Sequence, residues 1–338
     1  MLRKIHIKNN RWAEGSFPNT PEGEAVFTIT TERFNESIRS RAGLREQLDI
    51  CIDWDIDQFE SSMASAEILL TWDFPTKDIQ KVAPNLKWIH CIGAGVEHLL
   101  PMNWLPNDVA LTNNKGVHAA KAGEFGLMGV LMLHSHMPAV ITNQRQKKYD
   151  SLYASPIAGK TVVVLGTGSL GGAIAEMISR LGVNVIGVNR SGRAVEGCSQ
   201  VVTTDALDAV LPQADYLVIA TPDTPQTRGL MNRSRLGLLK KSAGVMNIGR
   251  EAVMDYGALC DKLEDGSLGG AILDVFDPEP VESDSRLWTT PNLIMTPHIS
   301  ADDGDAYIAL TLNLFFDNLE RYLAGKSLLN PVDPAQGY

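Results

Sequence analysis

The sequence predicts an α/β protein built from two doubly wound, mainly parallel sheets. Three observations carry that expectation. The 338 residues are enough for two domains of about 100–200 residues each. Short apolar runs alternate with amphipathic stretches through the first hundred residues, as parallel strands alternate with the helices that cover them. The same alternation restarts near residue 160, now with a glycine-rich strand-to-helix turn, "VVVLGTGSLGG".

In chain order, "KIHI", "VFTIT", "DICIDW", "AEILLTW" and "LKWIHCIG" read as strands, and "FNESIRSRAGLREQL" and "TKDIQKVA" as helices. A nearly all-round apolar helix follows at 119–137, "AAKAGEFGLMGVLMLHSHM". A helix apolar on most faces is buried between layers or subunits. In the second run, "KTVVVLG", "NVIGV", "DYLVIA", "SAGVMNIG", "GAILDV" and "NLIMT" are strands. "SLGGAIAEMISRLG", closed by a glycine, "DALDAVLPQ" and "AVMDYGALCDKLEDG" are helices. A last helix runs from about 303 to 324, and Pro331 and Pro334 make the tail "KSLLNPVDPAQGY" extended.

Composition narrows the class. Hydrophobic residues make up 44% and charged residues 21%, as in soluble globular proteins. A net charge of −10 and a pI near 5.2 argue against a nucleic-acid partner, which calls for a basic face. The best basic run, "RQKKY" at 145–149, reads as a solvated helix face. Cys51, Cys91, Cys198 and Cys260 form no CxxC pair, pointing to reduced thiols in a cytoplasmic protein. The histidines show no metal spacing, so no metal is expected. "MLRKIHIKNN" lacks the apolar core of a signal peptide. The most apolar stretch, Phe125 to Leu133, falls short of the ~20 residues that span a bilayer, so no membrane partner is expected.

Gly166, Gly168 and Gly171 stand in the spacing GxGxxG between a strand and a helix, the context of a dinucleotide loop. The first glycine allows the tight turn, the second lets backbone approach the pyrophosphate, and the third lets the helix pack on the strand. Thr167, Ser169 and Leu170 complete this cofactor-binding set. Free N–H groups at the helix start then face the phosphates. In such a unit an acidic residue grips the ribose of NAD about 20 residues on. Here "GVNRS" puts Asn189, Arg190 and Ser191 at that place. The missing carboxylate removes repulsion of a 2′-phosphate, and Arg190 offers a planar fork of donors to it. Ser191 adds a hydroxyl and Arg193 a second charge. The expected cofactor is NADP(H), with NAD(H) admitted as the second choice.

Three later segments put polar residues just beyond apolar strands, where ligands bind in open α/β sheets. "VMNIGRE" carries Arg250, "LDVFDPEP" carries Asp274 and Glu279, and "MTPHIS" carries His298 and Ser300. With these motifs in this order, the chain resembles the D-isomer-specific 2-hydroxyacid dehydrogenase family over nearly its whole length. Glu279 follows Arg250 by 29 residues and His298 follows Glu279 by 19, similar to the family's Arg–Glu–His set.

The resemblance implies roles. His298 would be the general acid for ketone reduction and the base for alcohol oxidation. Glu279 would hold its ring and favour the imidazolium. Arg250 would bind the substrate carboxylate and polarise the carbonyl. Asp274 and Ser300 fall where the family contacts the nicotinamide amide. Thr221 and Pro222, with Ile248, fall where it lines the cofactor. One departure is Glu251, where the family often has glycine; it is expected to start the next helix, where a carboxylate suits the dipole. In the amino-terminal half, "CIGAGVEHLL" resembles the family's carboxylate-binding loop, with Gly93, Ala94 and Gly95 letting N–H groups approach an anion. The family's usual valine-alanine-glutamate is here Ala122-Gly123-Glu124.

The family fold implies a discontinuous, flavodoxin-like substrate domain at 1–118 and 300–338. A Rossmann dinucleotide domain at 119–299 is inserted into it. The 119–137 helix region would pair with its twin in a homodimer. Short, NADPH-preferring members are often glyoxylate or hydroxypyruvate reductases, and "SRLW" at 285–288 and the ending "NPVDPAQGY" resemble that branch. A phosphoglycerate dehydrogenase would call for basic residues near the carboxylate loop, which offers Glu97 and His98 instead. Formate and phosphite oxidoreductases of this family tend to use NAD. Corepressors of the same fold, which bind a dinucleotide and short peptides without turnover, are the rival class.

Overall fold

The structure, a computed structural model, describes residues 2–12, 18 and 20–334. The chain forms two compact units, Met1–His118 with Asp303–Tyr338, and Ala119–Asp302.

The first unit is a five-stranded parallel sheet in the order β2-β1-β3-β4-β5, the flavodoxin-like order. Its strands are β1 Arg3–Asn9, β2 Leu48–Trp54, β3 Ile68–Thr71, β4 Trp88–Cys91 and β5 Ala110–Thr112. The helices are α1 Pro21–Phe27, α2 Thr31–Ile38, α3 Phe59–Met63, α4 Ile79–Val82 and, from the end of the chain, α11 Tyr307–Leu323. One apolar layer joins the sheet to α2 and α11 through Ile5, Ile7, Phe34, Trp88, Phe315 and Phe316. The opposite face packs Phe59, Met63, Leu69, Ile89 and Leu111. A sheet covered on both faces reads as unbroken apolar runs, which is why β3 and β4 were legible as strands. The tail is extended: Pro331 bridges Thr112 antiparallel, and Val332 N–H donates to Leu111 O at 2.9 Å. Its last four residues lie outside the described residues.

The second unit is a seven-stranded sheet, order β12-β11-β10-β9-β6-β7-β8, parallel throughout. Its elements are α5 Ala119–His134, α6 Met137–Arg145, β6 Thr161–Leu165, α7 Ser169–Ser179, β7 Asn184–Asn189, β8 Gln200–Thr203, α8 Leu207–Val210, β9 Tyr216–Ile219, α9 Arg233–Leu236, β10 Gly244–Asn247, α10 Tyr256–Glu264, β11 Gly270–Leu273 and β12 Leu293–Met295. Strand order reverses between β6 and β9, so the crevice at their carboxyl ends is the ligand position of a doubly wound sheet. Val162 to Leu165 are at most 1% exposed; each such side chain contributes about 1.5–3 kcal/mol of burial. Among the described residues no single helix is long and apolar enough to cross a membrane; α5 and α6 pass that test only as a pair bent by 65°.

Several elements differ from the sequence expectation. "VFTIT" is not a strand. It ends α1 and leads into α2, because two threonine caps outweigh β-propensity: Thr20 Oγ1 accepts from Gly23 N–H and Thr30 Oγ1 from Arg33 N–H. Ile29 instead reaches β1 through the Asn9 side chain, which both donates to and accepts from it. The helix expected over 34–48 stops at Ile38, and Gly43, at φ 73°, turns the chain into β2. The helix expected over 76–83 is one turn, Ile79–Val82. The apolar helix at 119–137 ends at His134; Pro138, at the start of α6, cannot continue it. The "DALDAVLPQ" helix is a chain of 3₁₀ and α turns. β5 and β8, three and four residues long, are too short to show a period. "RQKKY" is exposed, but only Arg145 belongs to α6, as its last residue.

Candidate active site

The glycine loop leaves β6 at the switch point. Gly166 has φ +90°, a left-handed conformation that favours glycine. A Cβ at Gly171 would lie 1.9 Å from Gly166 O, so α7 can start this close to the strand only without one. Nothing stands within 4 Å of a Cβ built on Gly168, which caps α7. The N-terminus of an eleven-residue helix is thereby presented across an open approach. Thr167 is buried, and Ser169 and Leu170 are half-buried in the first turn. Thr221, beyond β9, adds a second sign of a partner: its buried Oγ1 has no hydrogen bond among the described residues. Buried hydroxyls are normally satisfied. Pro222 is exposed beside it and Ile248 is buried at the end of β10.

Asn189, the last residue of β7, ties down the loop after it. Its Nδ2 donates to Thr167 Oγ1 at 2.8 Å and Arg193 O at 3.0 Å. Its Oδ1 accepts from Ser191 N–H at 3.1 Å and Ser191 Oγ at 3.3 Å. Arg190, Ser191 and Arg193 are exposed. The amide thus does more than remove a charge. It uses donors that a carboxylate lacks to lock the glycine loop to the basic loop.

The three chemical side chains lie beyond neighbouring strands. Arg250 follows β10, Glu279 follows β11, and His298 follows β12. The His298 Nδ1 and Glu279 Oε2 atoms are 2.8 Å apart, and Glu279 Oε1 accepts from Phe276 N–H at 2.8 Å. Burial alone would lower the His298 pKa. The hydrogen bond and charge of Glu279 outweigh it and hold that pKa above its ordinary value. The Arg250 charge works against this rise and the Asp274 charge with it. His298 has φ 54°, a backbone state uncommon outside glycine and found at functional sites. Its turn is held by buried Asp274, which accepts from Thr296 Oγ1 at 2.6 Å and from the N–H groups of Ile299 and Ser300 at 3.0 and 2.9 Å.

Two residues that motif reading passed over organise this set. Asn247 Nδ2 donates to Arg250 O and to Tyr256 Oη, and its Oδ1 accepts from Gly249 N–H. Tyr256 Oη donates to Val275 O at 2.7 Å. Together they join the Arg250 turn to the one that leads to Glu279. Asn247 is fully buried; its position in "VMNIG", a polar residue ending an apolar strand, was the available signal. Asp302 is a further titrating neighbour, raised by burial and Asp274, against the His298 charge, to about 6. Glu251 opens a short 3₁₀ turn, not α10, which starts at Tyr256 with Asp255 as its cap. Burial and the charges of Asp277 and Asp223 raise the Glu251 pKa, with Arg228 opposing.

Gly93, Ala94 and Gly95 belong to the other unit, in the turn after β4. Asn113 Nδ2 donates to Ala94 O at 2.7 Å, and Asn114 N–H to Gly93 O at 2.9 Å. The carbonyls of Gly93 and Ala94 are therefore taken up by the two residues that follow β5.

A family model described as "D-isomer specific 2-hydroxyacid dehydrogenase, NAD binding domain" matches residues 127–300. Among solved structures, a D-isomer specific 2-hydroxyacid dehydrogenase from Xanthobacter autotrophicus in complex with NADPH and MES is 28% identical, with a TM-score of 0.82 over 100% of both chains. An NADPH-dependent glyoxylate/hydroxypyruvate reductase from Sinorhizobium meliloti, in complex with NADP and sulfate, is 26% identical, with a TM-score of 0.80 over 99% of this chain and 100% of that one. A D-3-phosphoglycerate dehydrogenase from Synechocystis is 26% identical over 71% of this chain, which spans 43% of that protein.

Proposed function

This chain belongs to the D-isomer specific 2-hydroxyacid dehydrogenase family of NAD(P)-dependent oxidoreductases, and on that premise we propose that it reduces glyoxylate or hydroxypyruvate with NADPH as its preferred cofactor. The observation that carries the reading is the His298–Glu279 pair at 2.8 Å, with Arg250 close enough to act on the His298 pKa. Similarity to the Sinorhizobium reductase and the Asn189–Arg190–Ser191 loop support the choice of acid and cofactor.

In this reading the glycine loop and α7 receive the pyrophosphate, Thr221 contributes its unpartnered hydroxyl, and Arg190 meets the 2′-phosphate. The cofactor, when bound, supplies the hydride. Arg250 grips the substrate carboxylate and polarises the ketone through its second nitrogen. With Nδ1 turned to Glu279, His298 Nε2 is the atom that gives its proton to the carbonyl oxygen, and Glu279 stabilises the imidazolium until then. In the reverse direction neutral Nε2 takes the hydroxyl proton. Within the first unit, Gly93–Gly95 form a proposed anion-binding loop in their own right.

A homodimer through the 119–137 region belongs to the same proposal. Met128 and Leu131, 44% and 37% exposed on α5, support it. Cytoplasmic residence is supported by four free cysteines. The test is a panel of NADPH and NADH against glyoxylate, hydroxypyruvate, pyruvate, phenylpyruvate and 2-ketoisocaproate. Steady NADPH consumption with glyoxylate or hydroxypyruvate is expected. Cofactor binding without turnover of any acid would overturn the reading in favour of a sensor.

A further inference from the structure

A hydrogen-bonded chain of fully buried side chains crosses the first unit: Trp88 and His90 on β4, Thr112 at the end of β5, Asn114 just past it, and Thr311 on α11. Its donors fix its direction. A backbone carbonyl only accepts, so the Asn114 atom bonded to Ile92 O is the amide nitrogen. Asn114 Oδ1 then faces His90 Nε2 at 3.0 Å, and Nε2 must carry the ring proton. Burial, against the hydrogen bond from Asn114, pushes the His90 pKa down to about 4. The ring is therefore neutral and its bare Nδ1 accepts from Thr112 Oγ1 at 2.8 Å. Thr112 Oγ1 in turn accepts from Trp88 Nε1 at 2.8 Å, an indole nitrogen that can only donate.

The far end of the chain holds the Gly93–Gly95 loop. Asn114 Nδ2 donates to Ile92 O and to Thr311 Oγ1, and Asn114 N–H donates to Gly93 O. Tyr307 Oη adds a bond to Ile92 O, and Asn113 Nδ2 one to Ala94 O, both at 2.7 Å. In a trans peptide the carbonyl and the next N–H lie in one plane and point opposite ways. Holding the carbonyls of Ile92, Gly93 and Ala94 therefore sets the directions of the Gly93, Ala94 and Gly95 N–H groups. Asn114 holds two of these three planes, and its side chain is oriented by His90.

We propose that His90 is a positioning residue: through Asn114 it sets the direction in which the Gly93–Gly95 loop presents its N–H groups to a carboxylate. This rests on the reading of Gly93–Gly95 as an anion-binding loop. Phenylalanine at 90 fills much the same space but leaves Asn114 Oδ1 without its donor. Glutamine can set an amide nitrogen where Nε2 stands, whereas asparagine can replace Nδ1 but cannot reach Asn114.

The experiment titrates the full chain, saturated with NADPH, with oxalate, a carboxylate that the cofactor does not reduce. Binding is read from the backbone amide NMR signals of Gly93, Ala94 and Gly95 in wild type, His90→Phe, His90→Gln and His90→Asn. His90→Phe should weaken oxalate binding roughly tenfold, the scale of one lost buried hydrogen bond. His90→Gln should recover most of that loss and His90→Asn little of it. A merely structural role would lower the folded fraction in all three variants without this order. If the variants fail to fold, the imidazole nitrogen spectrum of the wild type carries the test: His90 should show a protonated Nε2 and a bare Nδ1. An Nδ1–H tautomer overturns the proposal, as does equal oxalate affinity in wild type and folded variants. A wild type whose loop amides do not respond to oxalate overturns the anion-loop reading instead.

Discussion

Replacing Arg190 with Ala should cut kcat/KM for NADPH about tenfold and leave NADH nearly unchanged. Charge-assisted hydrogen bonds contribute about 1.5–3 kcal/mol, and about 1.4 kcal/mol is a tenfold ratio. Arg190 is exposed, so water and ions screen the pair and the low end of the range applies. Adding Asn189→Asp restores an acceptor for the ribose of NADH, but the structure limits the benefit. A carboxylate keeps the contact to Ser191 N–H and loses both donors of the amide. Thr167 can rotate its hydroxyl to donate to Asp at that position; the Arg193 carbonyl, 3.0 Å from Nδ2, has no proton to offer. The double variant should therefore lose much more with NADPH than it gains with NADH. The assay is initial rates by nicotinamide absorbance at fixed ionic strength, repeated up to 1 M salt. The screening length then falls from about 10 Å to about 3 Å, and wild-type NADPH binding should weaken more than NADH binding. An Arg190→Ala enzyme with an unchanged cofactor ratio, or a wild type that uses NADH equally well, would refute the reasoning.

His298→Ala should lower turnover by roughly 10²–10⁴-fold with little change in cofactor affinity; a folded variant with wild-type rates rules out the general-acid role. Glu279→Gln removes the group that raises the His298 pKa, so ketone reduction, which needs the imidazolium, should fall away at lower pH than in wild type. Alcohol oxidation, which needs the neutral ring, should persist to lower pH, and coincident pH profiles would show that the pair is uncoupled. Arg250→Lys replaces a planar fork with a point charge and should raise KM and lower kcat together; near-wild-type kinetics would defeat the bidentate argument.

The sheets and the order of site motifs were legible because strands covered on both faces read as continuous apolar runs, and glycine spacing at a strand-to-helix turn has few other uses. Thr20 and Thr30 were not legible as caps. In "TPEGEAVFTIT" they sit beside β-branched and aromatic residues, and only the fold shows that their hydroxyls face N–H groups. Asn189 was legible as a missing acid but not as a knot, since its partners Thr167 and Arg193 lie on two different loops. Trp72 carried no motif at all, yet its ring occupies the space that a Cβ on Gly93 would need; that contact comes from the pairing of β3 with β4, which local sequence does not encode.

The residues that hold the chemistry are as specific as those that perform it. His298 occupies a left-handed backbone state that costs on the order of 1–3 kcal/mol for a residue other than glycine. Nothing in its own side chain repays this, because the bond to Glu279 acts on the ring and not on the backbone. The compensation comes from Asp274: a buried carboxylate accepting the N–H groups of Ile299 and Ser300 and the hydroxyl of Thr296 forces the chain to curl around it. Contacts to a charged acceptor are each worth about as much as the strain they offset. Asn247 and Tyr256 brace the Arg250 turn and the chain leading to Glu279 with neutral groups, with no backbone strain there to offset. His298, Glu279 and Arg250, the proposed acid, its partner and the proposed carboxylate binder, thus follow three separate strands, yet the chain around each is tied to a buried polar side chain. Under the proposed function, such bracing would keep proton donor and carbonyl polariser in register before substrate arrives, which is where positioned acid–base groups gain their rate.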